Sequence, residues 1–220
     1  MLNVGFVLFP NLTQLDFTGP LQVLHRLPGA TTHLAARTLD PIPSDCGLHL
    51  LPTCTFADCP PLDVICVPGG FGVEQAVQDA DTVAFVRRMG QSARYVTSVC
   101  TGAFLLGTAG LLREKQATTH WAYRELLPLV GAIPAAGRVV RDGNTFTGGG
   151  VTAGIDFALA LCAEIAGVEV ARTIQLSIEY DPSPPFDAGS PEKEPEIARG
   201  LMERRYAGRL REFGGILRGI

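Results

Sequence analysis

One cysteine stands where the segment RYVTSVC gives way to TGAFLLGTAGLL. Residues Arg94 to Val99 are rich in β-branched types and read as a buried strand, whereas small and apolar residues recur at helical spacing from Thr101 onward. Cys100 therefore occupies a strand-to-helix turn, with Thr101 and Gly102 opening the helix. A turn this sharp lifts its apical side chain into a cleft, and Gly102 allows the close backbone approach it needs. The N–H groups and dipole of the first helical turn favour a thiolate at that place, so the expectation is an accessible, ionised nucleophile. A buried structural cysteine is the competing reading, since most cysteines are of that kind.

Other residues could join it. Asp16 follows the first apolar run, NVGFVLF, either as a helix-start residue ahead of Phe17-Thr18-Gly19 or as a carboxyl matched to a chemical task. Pro68-Gly69-Gly70 follows the run DVICV. His120 is the only histidine near a motif, and reads either as a packed residue or as part of a pocket lining. Phe71 and Trp121 read as pocket walls or as core. Gly148-Gly149-Gly150 lacks the lysine and serine of a phosphate loop and is assigned to close backbone packing.

The elements that must position these residues alternate. Strands are expected at Asn3–Phe9, Thr31–Arg37, Asp63–Val67, Arg94–Val99 and Ala117–His120. Helices are expected at Thr18–Leu27 with Thr18 as N-cap, at Val73–Met89, Trp121–Leu129, Ala153–Ala166 and Val168–Tyr180. An edge hairpin is expected within Asp40–Thr55, and a second one around Asp142-Gly143. Asp181–Pro191 holds four prolines and reads as an extended arm before a charged helix, Glu194–Phe213. Short apolar strands alternating with helices indicate a three-layer α/β sandwich, a mostly parallel sheet with helices on both faces. Ligands of such sheets bind at the carboxyl ends of the strands, where Asp16, Gly69-Gly70 and Cys100 all fall.

Bulk composition narrows the function. A net charge of −4 without a basic block gives nucleic-acid binding no electrostatic footprint. No apolar run approaches the roughly 18 residues of a membrane helix. The N-terminus lacks a charged leader and reads as a core strand, so cytoplasmic, reduced thiols are expected. The cysteines at 54, 59 and 66 match no common zinc spacing, and neither metal nor cofactor is expected.

Together FPNLTQLDFTGP, VPGGFG, SVCTGAFLLGTAGLL, ATTHW and GGGVTAGID make the chain resemble the ThiJ/PfpI superfamily, of class I glutamine amidotransferase-like, flavodoxin-like fold. The resemblance runs to about Tyr180, which implies an α/β domain over 1–180 and an arm and helix over 181–220 that pack on the same domain or on a dimer partner. It is strongest to the branch holding isonitrile hydratases and the amidotransferase-like domains of AraC-type regulators. About forty residues follow Tyr180, too few for the regulators' DNA-binding domain, so a stand-alone enzyme is expected.

The resemblance implies that Cys100 is the nucleophile, that Asp16 reaches its sulfur, that Thr101 shapes the pocket and offers its N–H, and that Gly69, Gly70 and Phe71 lie beside the cysteine. It implies a lyase adding water to a small-molecule isonitrile through a cysteine thioimidate, with Gly69, Gly70 and Thr101 N–H groups steadying negative charge and the Thr101 hydroxyl holding water. It also implies a homodimer. Protease-like members place a histidine after the cysteine; Thr101 stands there, so peptidase activity is not expected. Glyoxalase-like or amidase chemistry, and a cysteine redox sensor, are the alternatives.

Overall fold

The computed structural model describes all of residues 1–220. In chain order its elements are β1 (Leu2–Val7), α1 (Gln14–Leu24), β2 (Ala30–Ala36), β3 (Ile42–Pro43), β4 (His49–Leu50), β5 (Cys54–Thr55), β6 (Val64–Val67), α2 (Val73–Ala76), α3 (Ala80–Ser92), β7 (Tyr95–Val99), α4 (Gly102–Thr108) and β8 (Gln116–Ala117). A 3₁₀ helix over Trp121–Val130 follows, then β9 (Ile133–Pro134), β10 (Val139–Asp142), β11 (Thr145–Gly148), α5 (Ala153–Ala166), α6 (Val168–Ser177), α7 (Pro195–Leu201), a π-helical turn over Met202–Tyr206 and α8 (Ala207–Arg218).

Seven strands form the main sheet in the order β10-β11-β7-β6-β1-β2-β5, parallel except for the β10–β11 hairpin. The central strands β6 and β7 are buried along their whole length, as expected of strands covered on both faces. Helices α1, α5 and α6 pack on one face; α2, α3 and α4 pack on the other, with α8 and the 3₁₀ helix against α4. The chain runs outward from β1 to β2 and then returns to the other side of β1 as β6, so the strand order switches between β1 and β6. No helix is long and apolar enough to cross a membrane.

Several expectations need correction. Helix α1 begins at Gln14, not Thr18, so Asp16 lies inside its first turn and Pro20 inside the helix. Docking decides this start, because the Thr13 N–H donates to the Gly69 carbonyl at 2.9 Å and fixes the chain there. The expected helix Val73–Met89 is two helices. Asp79 interrupts it and caps α3 by accepting from the Thr82 N–H at 3.2 Å. The β3–β4 hairpin forms a small sheet of its own, and β5 is the edge of the main sheet. The expected strand Ala117–His120 ends at Ala117, beyond which the Thr118 hydroxyl donates to the Gly137 carbonyl at 3.1 Å and the Thr119 hydroxyl to the Cys100 carbonyl at 2.7 Å. The helix after His120 is 3₁₀ rather than α, and Gly131 closes it at φ 76°.

Candidate active site

The carboxyl ends of β1, β6, β7 and β11, neighbours in the sheet, converge on Cys100. The cysteine follows β7 directly and takes φ 56°, a left-handed conformation that non-glycine residues adopt only under constraint. Three hydrogen bonds supply the constraint. The Cys100 N–H donates to the carbonyls of Gly148 (3.0 Å) and Gly149 (2.9 Å), and its own carbonyl accepts from Thr119 Oγ1 at 2.7 Å. Gly102 is required as well, because a Cβ there would stand 2.2 Å from the Val67 carbonyl oxygen.

Asp16 is fully buried beside this turn. Its Oδ2 accepts from the Gly69 N–H at 3.0 Å. Its Oδ1 has no hydrogen-bond partner in the protein, and the Cys100 thiol is among the groups that act on the carboxyl. Burial raises the carboxyl's pKa to about 7, against the opposing pull of the Gly69 N–H and the thiol. Cys100 is only 6% exposed. Burial, and then the Asp16 charge, push its thiol well above the ordinary value, although the Thr101 and Val151 N–H groups pull it down. The expectation of an ionised thiolate is therefore corrected, while the cysteine still lines a cavity. The two groups act on each other's charge and titrate as a coupled pair.

Thr101 ties the Pro-Gly-Gly turn to the elbow: its hydroxyl accepts from the Gly70 N–H at 2.9 Å and donates to the Gly70 carbonyl at 3.1 Å. This revises the expected donors. The Gly69 N–H is held by Asp16 and the Gly70 N–H by Thr101, so neither is free for a developing anion, and the Thr101 hydroxyl's own proton is engaged. The N–H groups facing the sulfur are those of Thr101 and Val151. Gly70 has φ 113°, and a Cβ there would stand 2.4 Å from the Thr13 nitrogen.

Cys100 opens onto a cavity of ≈ 170 Å³ whose walls include Gly70, Phe71, Thr101, His120, Tyr123 and Tyr206. Gly69 and Trp121 are not among its walls. Gly69 lies behind, against Asp16, and Trp121 lines a larger neighbouring cavity of ≈ 560 Å³ that shares His120 and Val151. His120 Nδ1 accepts from the Ala122 N–H at 3.3 Å, which leaves a proton to Nε2. Burial, helped by Arg205, lowers its pKa to about 4, so the ring is a neutral donor and a weak base. No group of three or more His, Cys, Asp or Glu side chains is arranged to hold a metal ion.

Residues that sequence reasoning missed complete the cavity. Val151, at φ 23°, lies just past the triple glycine that was read as close packing. Tyr123 sits two residues beyond ATTHW, on the cavity side of the 3₁₀ helix. Arg205 and Tyr206 come from the π-helical turn, more than 100 positions along the chain from Cys100, and nothing in their local pattern signals a site.

Comparison with known proteins agrees with this architecture. The DJ-1/PfpI family profile matches residues 3–164. Isonitrile hydratase of Pseudomonas putida is 56% identical over 96% of this chain and 92% of its own length. The HTH-type transcriptional regulator GbdR of Pseudomonas aeruginosa is 28% identical over 81% of this chain, but only 51% of the regulator is covered. Among solved structures, a ThiJ/PfpI family protein from Pseudomonas syringae superposes with a TM-score of 0.95 at 43% identity, covering 98% of this chain and 90% of that one.

Proposed function

The chain belongs to the DJ-1/PfpI family, and from that premise we propose that it is a lyase hydrating isonitriles to N-substituted formamides, with Cys100 as nucleophile and Asp16 as proton carrier. The observation that carries the reading is a buried carboxyl, with its pKa raised to about 7, against an elbow cysteine and with no histidine after it. The likeness to the Pseudomonas putida enzyme supports the substrate class.

The terminal carbon of an isonitrile has both a lone pair and an empty acceptor orbital. One proton and one thiolate can therefore add to the same carbon, and the Cys100–Asp16 pair holds both. The carboxyl passes its proton to carbon while sulfur forms the C–S bond. The C–N bond falls from triple to double order, giving a thioimidate, S–CH=N–R. Asp16 is left as carboxylate and takes a proton from water as the water oxygen adds to carbon. The proton then reaches nitrogen, the C–S bond breaks, sulfur recovers a proton and HC(=O)–NHR leaves. Thr101 and Val151 N–H groups hold the sulfur as charge moves through it. Thr101 itself acts by fixing the Gly70 turn. Phe71, His120 and Tyr206 shape the space for the N-substituent.

A glyoxalase-like reaction needs a competent base, and His120 with a pKa near 4 is a poor one. A peroxide sensor needs an exposed thiolate, and Cys100 is buried with a raised pKa. Incubation with cyclohexyl isocyanide should produce N-cyclohexylformamide, with Cys100→Ala inactive; no formamide from the wild-type protein would end the proposal. The same reading carries a homodimer in the cytoplasm. Leu176 and Phe186, 82% and 77% exposed, are apolar surface that a second copy would cover, and a monomeric mass by light scattering would rule that out.

A further inference from the structure

Tyr123 is 3% exposed, yet its hydroxyl meets no hydrogen-bonding partner in the protein. Leaving a buried hydroxyl unsatisfied is unfavourable, because its hydrogen bonds to water are given up without replacement. Phenylalanine would fill the same ring volume without that cost, so packing does not account for the oxygen.

The ring is fixed in place. Phe104 and Phe213, both fully buried, flank it edge-to-face with centroids 6.4 and 6.2 Å away. His120 and Tyr206 stand 6.0 and 5.9 Å away on the cavity side. The residue held by this cage lines the same ≈ 170 Å³ cavity as Cys100. The charged and titratable groups around it are Glu74, Arg209, Tyr206, Cys100 and His120; burial first, and then the Glu74 carboxylate, raise the phenol above its ordinary pKa. It therefore remains protonated, an unpartnered hydrogen-bond donor on a residue that lines this cavity.

The chemistry gives that donor a target. In R–N≡C the nitrogen has four bonds and no lone pair to accept a hydrogen bond. When sulfur and hydrogen add to carbon, the C–N bond order falls and a lone pair appears on nitrogen. We propose that the Tyr123 hydroxyl donates to this nitrogen as its lone pair develops, holding the thioimidate and activating it for attack by water. This interaction is absent from the ground state and present along the reaction path, so it lowers the barrier without tightening substrate binding. The inference deepens the isonitrile reading and rests on it.

The test compares wild type and Tyr123→Phe with cyclohexyl isocyanide. The expected result is a kcat lower by roughly 10- to 100-fold with KM within twofold, and a Tm equal to or above that of wild type, because the hydroxyl satisfies no protein group. A kcat within threefold of wild type would overturn the proposal. So would a Tm fall of more than about 3 °C, the mark of a structural hydroxyl at this chain length, or a loss of activity expressed wholly in KM. If wild type itself makes no formamide, isonitrile hydration fails before the variant is considered, and the role of Tyr123 falls with it; a wild type that turns over beside an unimpaired variant removes Tyr123 alone.

Discussion

At Asp16, function and stability pull in opposite directions. The carboxyl is fully buried, accepts one backbone hydrogen bond and has its pKa raised from an unfolded value of 3.8 to about 7. A folded-state pKa above the unfolded one means that the native protein binds the proton more tightly. Its stabilising contribution is complete below pH 3.8 and is lost as pH rises through 7. Asp16→Asn removes that dependence, because the amide is neutral at every pH and its carbonyl can still accept from the Gly69 N–H. Above pH 7 the variant should be more stable than wild type, by up to a few kcal/mol. The same substitution removes the proton carrier, and kcat should fall by at least about 100-fold. Urea unfolding at pH 5 and pH 8, beside the formamide assay, reads both effects. A variant as active as wild type, or one whose stability follows pH as wild type does, would contradict this account of Asp16.

At the scale of elements, the elbow is held from its flanks. The left-handed Cys100 is bonded to the loop after β11 through its N–H and to the segment after β8 through its carbonyl. Thr119→Val keeps the side chain's shape and removes the 2.7 Å donor to that carbonyl. It should destabilise the protein by about 1–2 kcal/mol and reduce kcat as the elbow relaxes; unchanged Tm and kcat would show that the strand-to-helix geometry holds Cys100 unaided. Elements whose pattern decides them locally were legible from sequence. Helix α5 runs over Ala153–Ala166 as expected, and Asp142-Gly143 turns the β10–β11 hairpin. Elements decided by docking were not. Gln14 to Phe17 joined α1 because Thr13 is bonded to Gly69 across the site, and the Val73–Met89 periodicity conceals a break whose cue is the Asp79 cap. The position of Cys100 at a strand-to-helix turn was legible from its local pattern, whereas the roles of Asp16 and Thr101 came from the family resemblance and not from a local signature. The protonation state of Cys100 was not legible, since it depends on burial by the whole fold.

The whole molecule closes its site with residues far along the chain. The family profile ends at residue 164, whereas Arg205 and Tyr206 line the Cys100 cavity. They are presented by a π-helical turn, a distortion common at functional positions. Helix α8 anchors that turn through Phe213, which is fully buried with its ring 5.0 Å from that of Phe104, on the helix that Cys100 precedes. One packing contact therefore connects the C-terminal helix, the Tyr123 cage and the elbow. Phe213→Ala should destabilise the fold by about 3–5 kcal/mol, lowering Tm on the order of 10 °C. Well below that Tm the variant remains folded, but the turn carrying Tyr206 loses its anchor and the cavity wall loosens. The KM for cyclohexyl isocyanide should rise several-fold, and bulkier isonitriles should lose less than the small ones. Calorimetry and Michaelis–Menten series on wild type and Phe213→Ala would measure this coupling. A large fall in Tm with KM and size preference unchanged would mean that the C-terminal helix serves the core alone.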